Sequence, residues 1–213
     1  FRFRDLDPDP RGRITYEEYQ TLIQALKEGG KAPKNSKLPA YFAQFLSVYL
    51  ANQDSPELIT WEDYLASLYY AYAMKCSNKF VSEWFELNLN INNILSAITC
   101  RKFGWDKKAY IIGNNKVAES IRSSNARDFG LGDEVDYLPE LIRIAEEPDL
   151  TLREKKLDVL KWNWLDEKTF FKTFDIESVF AYMLKLEMIE RWVTLDKEAG
   201  EKTFRELVKG MKK

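Results

Sequence analysis

The sequence predicts an all-α protein, and three observations carry that expectation. An apolar stripe runs from Thr60 to Phe103 without a proline or glycine. Helix caps and stops punctuate the rest of the chain, and the one segment that alternates like a strand has no good partner. In the stripe, Trp61, Leu65, Leu68, Tyr72, Cys76 and Phe80 continue through Trp84, Leu87, Ile91, Ile94 and Ile98. Steps of three and four keep them on one helical face. Thr60, with Asp63 three positions on, suits an N-terminus, and Gly104 suits a stop. Unbroken, such a helix would be about 65 Å long, whereas a compact domain of this size is roughly 45 Å across. The expectation is therefore an elongated helical domain, built around one very long helix or a kinked pair over about 61–103, with Ser77-Asn78 as the break.

Phe85 to Asn92 alternates apolar and polar residues, which by itself reads as a half-buried strand. Its only candidate partner is Tyr110-Ile111-Ile112, and an isolated two-stranded ribbon is marginally stable. The helix is the expected form.

Near the start, Asp7-Pro8-Asp9-Pro10-Arg11-Gly12 followed by Ile14 and Glu18 places Asp7, Asp9 and Glu18 at positions one, three and twelve of an EF-hand calcium loop. Arg11 occupies position five, where the loop needs an oxygen, and two prolines stiffen it. The competing reading is a turn leading into a helix that Thr15 and Glu18 open as a capping box. That helix spans about 16–28, with Tyr19, Leu22, Ile23 and Leu26 facing inward and Gly29-Gly30 as its stop. A second, aromatic helix near 39–51 begins at a proline. Residues 1–59 can form an N-terminal subdomain on a core of 60–213, all within a single domain 1–213.

After Gly104 the pattern gives an irregular stretch through Ile112 and a helix near 116–122. A compact polar loop, Ser123 to Gly132, follows, in which Arg127 and Asp128 can tie neighbouring backbone. Its two glycines are a weak phosphate signal. A helix near 137–146 starts at Asp136 and ends before Pro148. Three amphipathic helices close the chain near 151–167, 175–194 and 196–211, the first opened by Thr151 and the second by Asp175. The first should bury Leu152, Leu157, Leu160, Trp164 and Leu165, the second Val179, Phe180, Leu184, Met188 and Trp192. Trp162 and Trp164 stand two apart and cannot share a helical face. One of them is a candidate partner-binding anchor, unless a neighbouring helix covers it.

Composition bounds the function. The 213 residues are 45% hydrophobic and 14% aromatic, ample for a sizeable core, with a net charge of −2 and no long run of either sign. That leaves no electrostatic footprint for nucleic acid or anionic lipid. No apolar run reaches the roughly twenty residues of a bilayer span. Cys76 and Cys100 lie about 36 Å apart along a continuous helix, too far for a disulfide, and read as buried free thiols in a reducing compartment. The chain has no histidine, no phosphate-binding P-loop and no dinucleotide fingerprint, so no catalytic residue and no cofactor is expected and a non-enzyme is the reading.

Trp84-Phe85-Glu86-Leu87-Asn88-Leu89, Arg101-Lys102-Phe103-Gly104-Trp105-Asp106, Ser124 to Leu131 and Glu190-Arg191-Trp192 resemble an uncharacterised helical family encoded within bacterial V-type (A/V-type) ATPase gene clusters. Phe85-Glu86-Leu87, Asn93-Ile94 and Arg101-Lys102 with Gly104 are similar to the helical segments of the rotary ATPase central-stalk adaptor, an all-helical protein that joins the membrane rotor ring to the central stalk. The resemblance implies a non-catalytic component of a rotary ATPase, a machine that links ion transport to ATP hydrolysis or synthesis. Its partners would be other ATPase subunits, with no nucleic acid and no direct membrane insertion. It would be cytoplasmic and peripheral to the membrane through that complex. The alternatives are a calcium-binding regulator using the 7–18 loop and a generic helical interaction scaffold.

Overall fold

A computed structural model describes residues 15–29, 33, 36–52, 60–132, 134–195 and 197–211. Among them the fold is all-helical, with no strand. The chain forms two compact units, residues 1–138 and 139–213.

In the first unit, α1 (Tyr16–Lys27), α2 (Ala40–Ala51) and α3 (Trp61–Ala73) are joined largely through aromatic rings. Tyr19 meets Phe42 edge-on at 5.4 Å, Tyr41 lies 5.3 Å from Tyr72, and Tyr49 meets Trp61 at 5.1 Å. Burial among these rings, then the nearness of Tyr69, Tyr19 and Tyr72, pushes the Tyr41 hydroxyl up to about 12. The expected capping box opens α1: Thr15 N–H donates to Glu18 Oε2 at 3.0 Å. Of the four residues expected inward on α1, Leu22 is fully buried and Tyr19, Ile23 and Leu26 are half-buried.

The long stripe resolves as a helix pair rather than one rod. α3 ends at Ala73 and α4 (Lys79–Phe103) begins after a break at 74–78. Two side chains stabilise the break. Asn78 Oδ1 accepts from Val81 N–H at 3.1 Å and starts a fresh helix, while Ser82 Oγ donates to the Met74 carbonyl at 2.7 Å, satisfying an acceptor the end of α3 would orphan. Cys76 falls in this break and is exposed, which corrects its assignment to the buried stripe; Cys100 is buried, and both are free thiols. Tyr72, one turn before the break, is exposed as well. α4 ends where Gly104 adopts φ 69°, a left-handed cap that suits glycine.

The alternating segment is helical, and the alternation does not mark two faces of a strand, because Asn90 within it and Asn93 just beyond it both face the core. Asn90 and Asn93, three apart on one face, are buried and bonded; Asn93, 1% exposed, donates to the Ile112 carbonyl at 2.8 Å and accepts from the Ile112 N–H at 3.0 Å. The segment expected as a strand partner thus does pair with α4, but through one side chain that imitates a ladder. Asn90 Oδ1 accepts from Asn115 Nδ2 at 2.8 Å, and Asn115 Oδ1 caps α5 (Lys116–Ser123) through Ala118 N–H at 3.1 Å. Between α4 and α5 lies a single 3₁₀ turn, Lys107–Ala109.

The second unit holds α7 (Leu150–Thr169), α8 (Ile176–Thr194) and α9 (Lys197–Met211), preceded by α6 (Leu138–Ala145), which straddles the boundary. Asp149, not Thr151, caps α7: its Oδ1 accepts from Leu152 N–H at 2.9 Å, and a carboxylate is the stronger acceptor at a helix N-terminus. Asp175 is the N-cap of α8, though its side chain makes no capping bond. α7 and α8 run antiparallel. Asp158 pairs with Arg191 and accepts from Trp192 Nε1 at 2.7 Å, and Asp166 pairs with Lys185. Leu157, Leu160 and Leu165 are buried as expected, but Leu152 and Val179 are exposed. Leu152 sits in the first turn of α7, and Val179 falls on the side of α8 turned from α7.

Candidate interaction surfaces

α8 is the most apolar exposed element of the second unit. Its helical register puts Ile176, Val179, Met183, Leu186 and Val193 at steps of three, four and seven, all along one stripe. These side chains are 45–78% exposed, and only Ala181 on the whole helix is buried. The turn before α8 carries three further exposed aromatic residues, Phe170, Phe171 and Phe174, the last 99% exposed. Phe174 also holds φ 63°, unusual for a bulky residue. Water-exposed apolar area on this scale is uncommon on a protein with no partner.

Trp162 and Trp164 land in different surroundings, as their spacing requires. Trp162 is half-buried, lies 5.0 Å from Lys185 Nζ, and lines an open hollow of about 330 Å³ with Val159, Met188, Ile189, Trp192 and Val193. Trp164 is half-buried with Lys168 Nζ 5.4 Å above its ring. The hollow adjoins the exposed stripe through Ile189 and Val193, so Trp162 is the one placed beside it. Nearby, burial holds the Lys161 ammonium below its usual value, partly offset by Asp158.

In the first unit the Ser123 to Gly132 loop is compact for a reason the sequence did not supply. Asp128 does tie backbone, accepting from Gly130 N–H at 3.0 Å, but the main clamp is Arg101 rather than Arg127. Arg101 donates to the carbonyls of Ala126 (2.6 Å) and Arg127 (2.8 Å) and covers the buried Phe129 ring at 4.1 Å. Lys107 reaches the Ser124 carbonyl and Asn125 Oδ1. Burial, and then the neighbouring Arg101 and Lys108 charges, hold the Lys107 ammonium below its usual value. The clamp holds Phe129 at φ 55°, a conformation with a cost of about 1–3 kcal/mol for a non-glycine residue. The N–H groups of Phe129, Gly130 and Leu131 all bond within the loop, so these three are not open to an anion.

Of the calcium-loop residues, Asp7 and Asp9 lie outside the described residues. Glu18 is committed to Thr15 N–H and to Lys37 Nζ at 3.3 Å, and the Thr15 bond, then Lys37, hold its carboxyl below the usual range. Among the described residues no three His, Cys, Asp or Glu side chains converge on a possible metal position, and no helix is long and apolar enough to cross a membrane. Sequence reasoning missed the α8 stripe because it assigned that helix a single buried face. The signal for it was that 175–194 carries apolar residues on two faces, more than one neighbour can cover.

The family described as "Protein of unknown function (DUF2764)" matches residues 1–213. No curated protein and no solved structure matches the chain.

Proposed function

Because this chain belongs to the DUF2764 family over its whole length, whose function is not established, we propose a role from its surfaces: a non-catalytic subunit that joins a larger assembly through the outer face of α8. The observation that carries the reading is the exposed stripe Ile176, Val179, Met183, Leu186 and Val193, with the exposed Phe170, Phe171 and Phe174 just before it in the chain. Such a stripe, regular at helical spacing, suits a helix laid along a partner's groove or helix. The assembly is a V/A-type rotary ATPase, in which the protein bridges rotor ring and central stalk from the cytoplasmic side. The likeness of Trp84–Leu89, Arg101–Asp106 and Ser124–Leu131 to the family of the ATPase gene clusters supports that finer assignment. Two of those segments meet directly, through Arg101 and the Ala126 and Arg127 carbonyls. A chain without histidine or a phosphate-binding loop suits a part that transmits force rather than one that performs chemistry.

Affinity purification of the tagged protein from its native membranes in mild detergent tests the assignment. The expected result is recovery of rotary ATPase subunits, with no ATP hydrolysis by the isolated protein. Recovery of none of them, with the ATPase intact and active when the protein is deleted, rejects the assignment and leaves a helical scaffold for another assembly.

A further inference from the structure

The turn after α4 carries a second surface of different chemistry. Phe103, Trp105 and Tyr110 stack as a ladder, with ring centroids 5.2 and 5.8 Å apart and ring planes within 26° and 28°, and each ring is 46–58% exposed. The residues around the ladder are basic. Lys102 Nζ lies 5.9 Å from the Phe103 ring, Lys107 and Lys108 belong to the 3₁₀ turn, and Arg101 holds the backbone carbonyl of Arg127, which adds a fifth cation to the neighbourhood. Two acidic residues belong to the same stretch, and both are engaged with backbone. Asp106 Oδ1 accepts from Lys108 N–H at 3.0 Å, and Asp128 Oδ1 accepts from Gly130 N–H at 3.0 Å. None of the five cations forms an ion pair with a carboxylate among the described residues.

We infer that this ladder and its basic border are a docking site for an acidic segment of a partner protein, separate from the α8 stripe and independent of the ATPase assignment. Charge complementarity selects the occupant: five cations against two engaged carboxylates leave a local positive excess on a chain whose net charge is −2. The aromatic residues select protein over lipid. Three rings stacked flat against one another make a wall on which the methylene groups of a peptide side chain can lie, whereas insertion into a bilayer requires side chains that protrude. Aromatic residues with arginine are also the composition of protein-binding hot spots. The surface is set in advance, since Arg101 and Lys107 are fixed by the carbonyls of the 124–127 loop, which lowers the ordering entropy lost on binding.

Fluorescence anisotropy of the full chain with fluorescein-labelled poly-L-glutamate tests this. The inference predicts saturable binding that weakens as salt rises. In Lys102→Glu/Lys108→Glu, both exposed and neither of them a donor to the 124–127 carbonyls, the affinity should fall roughly tenfold or more while the melting temperature is unchanged. Trp105→Ala, which leaves every cation in place, should also weaken binding, by a smaller factor. Absence of saturable binding, or unchanged binding in the charge-reversed variant, overturns the inference. So does tighter binding to phosphatidylserine vesicles or to a single-stranded oligonucleotide than to poly-L-glutamate, either of which would reassign the surface to a membrane or a nucleic acid.

Discussion

α4 and α8 are both long helices rich in aliphatic residues, yet the first buries ten of its twenty-five residues and the second one of its nineteen. α4 also buries two asparagines, a more demanding cargo than any residue of α8, because each buried polar group must find a partner. It succeeds because neighbours converge on it: α3 through the Tyr69–Phe85 ring pair, the 110–113 segment through Asn93, and α5 through Asn90 and Asn115. α8 has α7, linked by Asp158 and Asp166, and its opposite face meets water. Apolar content therefore does not decide burial here; the supply of partners does.

The contrast can be probed with the same substitution on each helix. Ile94 is 0% exposed, and Ile94→Ala removes side-chain volume from a packed site, with an expected loss of about 3–4 kcal/mol in urea unfolding. Ile176, 70% exposed on α8, should lose less than about 0.5 kcal/mol when changed to Ala. Comparable losses at both positions would mean that α8 is covered within the single chain.

A smaller effect than that of Ile94→Ala separates the α4 surroundings by pH. Burial pushes the Tyr137 hydroxyl up to about 12, against the opposing pull of its hydrogen bond with Asn90 on α4. The unfolded value is about 10, so the folded state holds its proton more tightly. The corresponding stability is fully present below pH ~10 and is lost as pH rises through ~12, at most about 2.7 kcal/mol. Unfolding measured near pH 9 and near pH 11.5 should show a shallower alkaline loss in Tyr137→Phe than in the unaltered protein. A slope remains, because Tyr41 is pushed up to about 12 as well.

The same two helices show what a sequence discloses. α4 was legible because its stripe, its break at Asn78 and its stop at Gly104 are local signals read within a turn or two of the residue concerned. The burial of its asparagines was not, since Asn93 is explained by Ile112, nineteen positions away, and Asn90 by Asn115, twenty-five positions away. The loop clamp was missed for the same reason: Arg101 acts on carbonyls twenty-five and twenty-six residues later. On α8, periodicity locates apolar residues on two faces without saying which has a neighbour, and Val179 was placed on the wrong one. Capping was read well where a box repeats its signal, as at Thr15 and Glu18, and less well at Thr151, where Asp149 lay two residues earlier.

The central claim, that α8's open face serves assembly rather than folding, is tested most directly by Leu186→Ser/Val193→Ser. Both positions are exposed, so the isolated variant should melt within a degree or two of the unaltered protein. Purified side by side from native membranes through the same tag, the unaltered protein should bring down rotary ATPase subunits, and the variant should lose most of them. A variant that retains the full set, or one that unfolds, would contradict the claim.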